Sequence, residues 1–238
     1  MKKLAGKGYY RTVESNLLWL SRSSFMQQLL AEVIATFLAL LPIANPIGAV
    51  PLFYSLTALD SKPYRQKQAR QTSVNVICVL IIFFLAGRLI LEFFDLSLGV
   101  LRIAGGLLIA QTAWEMVTVR PRLTPPEREE VAEKEDISFT PMAVPMLSGP
   151  GAIGVVMGLS AKSSHLLDHL GALIGILLLG GMIYFCLSVG DRVMARLGKS
   201  GVGAFNRVLG FFILAIAVQF IAEGTIALLK DSVPELFN

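Results

Sequence analysis

Leu41-Pro-Ile-Ala-Asn-Pro-Ile-Gly-Ala-Val50 lies inside a run of 27 residues, 33–59, that carries no charge. About a hundred residues later Val144-Pro-Met-Leu-Ser-Gly-Pro-Gly-Ala-Ile153 repeats its pattern, inside a second uncharged run of 25 residues, 137–161. Proline lacks a backbone N–H and clashes with the preceding turn, and glycine is the poorest ordinary helix former. Bare backbone polar groups in lipid cost several kcal/mol each, so a bilayer admits such breaks only where protein or a water-filled cavity receives them. A matched pair of Gly/Pro-interrupted apolar segments is the sequence mark of a secondary-transporter binding site.

The rest of the chain fits a membrane setting. It is 54% hydrophobic and 16% charged, with mean hydropathy +0.65; soluble domains average roughly 25% charged residues. Besides the two broken runs there are uncharged stretches at 72–87, 103–114, 170–190 and 208–222. A spanning helix needs about 20 residues. The shorter stretches reach that length by including terminal charges such as Arg88, Arg102, Glu115, Arg207 and Glu223, whose side chains can extend to the interface. As one unbroken helix the first run would be about 40 Å long, too long for a bilayer core of about 30 Å. A break at 42–48 removes the excess. The expected fold is all-α, a bundle of six transmembrane helices with the first and fourth broken.

A second motif repeats as well. Leu101-Arg-Ile-Ala-Gly-Gly-Leu-Leu-Ile-Ala110 matches Asn206-Arg-Val-Leu-Gly-Phe-Phe-Ile-Leu-Ala215, with Arg102, Gly105 and Ala110 aligned to Arg207, Gly210 and Ala215 at an offset of 105. Each half therefore reads as a broken helix, a plain helix and a helix beginning Arg-x-x-Gly. Three crossings per half is an odd number, so two such halves would be inverted relative to each other. The expected segmentation is a basic extension (1–26) holding a short interfacial helix near residues 17–20, a first repeat (27–118), a charged linker (119–137), a second repeat (138–230) and a tail (231–238).

Loop charge sets the expected orientation. If the first run crosses fully, residues 60–70, 119–136 and 191–207 share a face and carry 12 Lys/Arg, against four (Arg88, Arg102, Lys162, Lys230) opposite. The positive-inside rule then puts the linker in the cytoplasm and both termini outside. The five basic residues of the N-terminal extension pull the other way, and two re-entrant segments would allow a cytoplasmic N-terminus.

Asn45-Pro-Ile-Gly48, Leu101-Arg-Ile-Ala-Gly-Gly106, Pro145-x4-Pro-Gly151 and Asn206-Arg-x-x-Gly210, in this order and spacing, resemble the MarC family of integral membrane proteins over roughly residues 28–230. The resemblance implies a six-helix inner-membrane protein of a class assigned to transport of small neutral amino acids such as glycine and alanine. The family's name refers to antibiotic resistance, which is a label and not a mechanism.

Within that reading Asn45, Pro46, Gly48, Ser148, Gly149, Pro150 and Gly151 are the expected substrate site. Half-helix N-termini offer N–H groups to a carboxylate, half-helix C-termini offer carbonyls to an ammonium, and glycine leaves room for a small ligand. Kinks made only for packing are the competing explanation. Arg102 and Arg207 are expected to anchor or gate the two faces. Glu115, Glu223 and Glu32 read as interfacial residues. Asp168 and the histidines 165 and 169 are too few to hold a metal. Cys78 and Cys186 read as buried apolar residues. No cofactor, enzymatic constellation, ATP motif or nucleic-acid partner is expected. Coupling to Na⁺ or H⁺, and assembly into a homo-oligomer, stay open, as do the readings of a non-transporting scaffold and a membrane-embedded enzyme.

Overall fold

The structure is a computed structural model and describes residues 5–118, 134, 136–163 and 165–232, with side chains from Phe25 onward except at 193, 197, 199, 231 and 232. The expected linker therefore lies largely outside the described residues, as do residues 1–4 and most of the expected tail. The described chain is helical throughout: α1 (Ala5–Ala44), α2 (Pro46–Leu56), α3 (Lys62–Phe93), α4 (Leu98–Thr118), α5 (Ser138–Leu147), α6 (Pro150–Lys162), α7 (Leu166–Ser188) and α8 (Gly190–Ser232).

Five helical segments are long and apolar enough to cross a membrane: Phe25–Ala44, Lys62–Phe93, Leu98–Thr118, Leu166–Ser188 and Ser200–Lys230. The bent pair α5–α6, with an angle of 67°, makes a sixth. Two helices outrun the bilayer. The 40 residues of α1 would span about 60 Å, and the expected short interfacial helix is simply its N-terminal part. The 43 residues of α8 are interrupted at Gly198, where φ of 63° and ψ of 176° suit a residue without Cβ.

Side-chain contacts fix the directions of the helices. Gln28 meets Asp168 at 3.5 Å, Glu32 lies against Gly171 and Thr36 against Gly175, so α1 and α7 run parallel. At the far end the Tyr54 hydroxyl donates to the Leu187 carbonyl at 3.0 Å. Together α1 and α2 thus travel the whole length of α7 and make one crossing. Against α7, α3 is antiparallel: Ser73 Oγ donates to the Gly180 carbonyl at 2.6 Å, and the Phe84 ring sits 5.6 Å from that of His169. The last pair, α4 and α8, is also antiparallel, with Gly99 beside Gly224, Gly106 beside Ala217 and Gly210 beside Ala113. Side chains absent at these points let the two backbones come together, as small residues do where helices associate without a hydrophobic drive. One face of the bundle accordingly holds the ends of α2, α4 and α7 and the starts of α3, α5 and α8; it is called the linker face below.

The core is apolar and continuous through the bundle, with Leu40, Phe53, Leu80, Phe84, Ile109, Met142, Leu147, Leu179 and Ile213 fully buried. On the linker face a polar latch joins three helices. Arg65 donates to the Thr57 carbonyl at 2.8 Å, lies 4.8 Å from the Tyr54 ring centroid and meets Asp191 at 3.4 Å. On the opposite face Arg102 Nη1 stands 3.8 Å from Glu223 Oε2.

Candidate functional site: two helix breaks and a cavity

The first break falls at one residue. Asn45 separates α1 from α2 with φ of 44° and ψ of 63°, the left-handed region that asparagine enters more readily than other residues carrying a Cβ. A following proline disfavours the right-handed helical conformation at position 45 and then serves as the first residue of α2, where a missing N–H costs nothing. The Asn45 side chain closes the start of the new helix. Its Oδ1 accepts the Gly48 N–H at 3.0 Å, while its Nδ2 donates to Asn206 Oδ1 at 3.3 Å and contacts Met116 Sδ at 3.7 Å. With 1% of its surface accessible, this asparagine is sealed inside protein. Gly48 is required there, because a Cβ would overlap the Asn45 amide and approach Asn206 Oδ1 to 2.7 Å.

The second break is longer. Within α5, Thr140 (φ −118°, ψ 121°) and Val144 (φ −124°, ψ 126°) are extended, and each precedes a proline, which disfavours helical backbone in the residue before it. The coil is widened, with hydrogen bonds reaching back five residues from Met142 to Ile137 and from Ser148 to Ala143. Ser148 ends it: both its N–H and its hydroxyl donate to the Ala143 carbonyl, each at 2.8 Å. Then Gly149 starts α6, again with proline at the first position, but without a side chain to cap the helix.

Here the chain opens onto a cavity of about 310 Å³. Its wall consists of Ile43 from α1, Leu108, Gln111, Thr112 and Glu115 from α4, Pro141, Pro145 and Met146 from α5, and Gly149, Pro150, Gly151 and Ala152 at the start of α6. Close approach of α6 to α4 is what positions this wall: Gly154 faces Gly105, and a Cβ on Gly151 would come within 2.8 Å of Ile109. Among the described residues Glu115 is the one ionisable residue lining the cavity, and its Oε1 accepts from Gln111 Nε2 at 3.4 Å.

The expected site residues therefore divide. Gly149, Pro150 and Gly151 line the cavity. Ser148 is fully buried just before it and spends its hydroxyl on α5. Asn45, Pro46 and Gly48 lie outside the lining, connected to it through Ile43, which touches both the cavity and the neighbourhood of Gly151. Of the two arginines, Arg102 has its carboxylate and Arg207 is exposed at the linker-face end of α8. Asp168 accepts the His165 N–H at 3.1 Å and so caps α7; among the described residues no group of three potential metal ligands gathers.

Two participants are not singled out by the sequence, and a third is given an interfacial role by it. Asn206 entered only as part of a repeat motif, yet it holds Asn45 from 161 positions away. Gln111 was passed over, and Glu115 was read as an interface charge because it stands near a helix end. A polar trio at 111, 112 and 115 on one face of an otherwise apolar helix, one turn apart, was the available signal.

Comparison with known proteins agrees with this architecture. Residues 30–229 match the family described as MarC family integral membrane protein. The chain is 35% identical to the UPF0056 membrane protein MJ1677 of Methanocaldococcus jannaschii over 193 residues, covering 80% of this chain and 94% of that one. With the UPF0056 membrane protein YvbG of Bacillus subtilis it shares 31% identity, covering 81% and 93% of the two chains. With the UPF0056 inner membrane protein MarC of Citrobacter koseri it shares 30%, covering 86% and 99%. No solved structure matches the chain. A helical bundle with membrane-spanning helices, matched to one family across nearly its whole described length, has one assignment: the chain belongs to the MarC family of integral membrane proteins.

Proposed function

We propose that the protein is a secondary transporter of small neutral amino acids, working in the inner membrane by alternating access of two inverted three-helix halves. The observation that carries this reading is the cavity at the second break. It lies beside the middle and linker-face half of α4, is bordered by glycines that let a ligand approach the backbone closely, and offers both kinds of group a zwitterion needs. The uncapped start of α6 presents N–H groups and the positive end of a helix dipole to a carboxylate. Glu115 and the Gln111 side-chain oxygen present acceptors to an ammonium.

Inversion of the halves is supported by how the helices pair. The antiparallel pairs α4–α8 and α3–α7 each join one helix to its counterpart. Around α6 stand α3, α4 and α1; around α2 stand α7, α8 and α5, which are their counterparts at the repeat offset. The excess of basic residues on the linker face supports a cytoplasmic position for it, with both termini outside. A transporter without an ATP motif draws any coupling from an ion gradient, and Na⁺ and H⁺ both remain compatible.

The test is flux of labelled glycine and alanine into proteoliposomes, with and without Na⁺ and pH gradients. Saturable uptake is expected, abolished by Gly149→Leu, whose Cβ would collide with the Pro145 carbonyl and unseat the second break, and by Asn45→Leu, which unseats the first. An absence of flux and of saturable binding across a broad amino-acid panel would leave the scaffold reading in its place.

A further inference from the structure

We infer that Glu115 is the specificity-determining residue of the cavity, so that the site selects a ligand by its cationic group and rejects one that carries only a carboxylate. This rests on the reading of the cavity as an amino-acid site and extends it to which end of the ligand is recognised where.

The first argument is charge. Among the described residues no basic side chain lines the cavity, and the one ionisable residue there is acidic. In a partly enclosed site walled mainly by apolar side chains a single carboxylate raises the cost of a second anion and lowers that of a cation, more than it would in open water. The Gln111 amide that approaches Glu115 does so at 3.4 Å from one turn away on the same helix, which leaves acceptor capacity on the carboxylate. A ligand ammonium can take that capacity, while the uncapped N–H groups at the start of α6 lie across the same cavity.

The second argument is the repeat. At the offset of 105 that aligns Arg102 with Arg207, the positions of Leu108, Gln111, Thr112 and Glu115 fall on Ile213, Ile216, Ala217 and Phe220 of α8. Of those residues Ile213 and Ala217 are fully buried in the apolar core and Phe220 packs against it. Packing of this kind of helix within its half is thus achieved with an apolar face, and the polar trio is not a requirement of the fold. It is present on the helix that borders the described cavity, and the aligned positions of α8 are apolar; the Gln219–Glu223 pair of α8 lies three residues further along, where Glu223 meets Arg102.

The experiment is displacement of labelled alanine from the purified full-length protein by three probes of one size: alanine, alaninamide (cation only) and propionate (anion only). For the unmodified protein alanine and alaninamide should compete, and propionate should not. Glu115→Gln, which keeps shape and hydrogen bonding, should weaken alaninamide by roughly ten- to a hundredfold and erase its advantage over propionate. Glu115→Asp should restore the preference for the cation. Monodispersity on size exclusion checks that each variant is folded. If alanine binds the unmodified protein and Glu115→Gln ranks the three probes as before, this inference fails alone and the transport reading stands. If the unmodified protein binds neither alanine nor alaninamide, the transport reading fails and takes this one with it.

Discussion

The two helix starts inside the membrane use the same backbone grammar and reach opposite ends. Each begins with a flexible cap followed by proline, Asn45-Pro46 in one half and Gly149-Pro150 in the other. Asparagine turns its own side chain onto the new helix, satisfies the Gly48 N–H and is locked by Asn206 from the far half and by Met116 of α4. Glycine has nothing to turn, so the start of α6 is left for the solvent or ligand of the cavity beside it. One missing carboxamide separates a sealed joint from an open one.

The largest expected effect comes from crowding the sealed joint. Gly48→Ala places a methyl group against the Asn45 amide and Asn206, and should cost about 1–3 kcal/mol. Gly154→Ala, beside the open joint, meets only the Gly105 Cα at 3.4 Å, an ordinary contact, and should change little. Thermal unfolding in detergent ranks the two, and equal shifts would remove the distinction between the joints.

Asn45 itself sharpens the comparison, because its cap and its backbone can be separated. Asn45→Ala loses the cap, about 1 kcal/mol, and adds about 1–2 kcal/mol of left-handed strain. Asn45→Gly loses the cap but keeps the backbone, costing only a few tenths of a kcal/mol at the cap itself. The glycine variant should therefore be the more stable of the two; the reverse order would mean that the extra freedom of glycine in the unfolded chain outweighs the relief of left-handed strain.

A smaller effect is expected at the entry to the second break. Asp136 accepts the Ser138 N–H at 2.8 Å, and hydrogen bonding, first from the Ser138 hydroxyl, holds its carboxyl below the usual aspartate range. A lowered folded value means the stabilisation is complete above the unfolded value of about 3.9 and disappears as pH falls through the folded one. Acid unfolding of Asp136→Asn should lack that component and otherwise match the parent. An unchanged acid limb would show that the contact contributes nothing.

Much of the fold was legible because it follows from local chemistry. Proline and glycine in an uncharged run mark a break whatever surrounds them, and an asparagine before a proline is an ordinary way to begin a helix. The expected break at 42–48 lands on Asn45, while Pro42 stays inside α1. The widened coil of α5 was not foreseen, although its cause, a proline after both Thr140 and Val144, stands in the sequence. What no local pattern could give is the partner of Asn45, since a bond across 161 positions depends on how the halves dock. The role of the 111–115 face was hidden for a different reason: position along a helix places a charge near an interface, but only the neighbouring helices decide whether a cavity stands beside it.

The seam between α4 and α8 carries a mechanical corollary. Where Gly99 meets Gly224 and Gly106 meets Ala217, the backbones come close, and the side chains of Leu228, Ile221 and Ile103 reach into the gaps the glycines leave. Interlocked side chains resist axial displacement like gear teeth, since each must change rotamer before its neighbour can pass. A toothed seam of this kind keeps α4 and α8 in register, so the two helices move as one body.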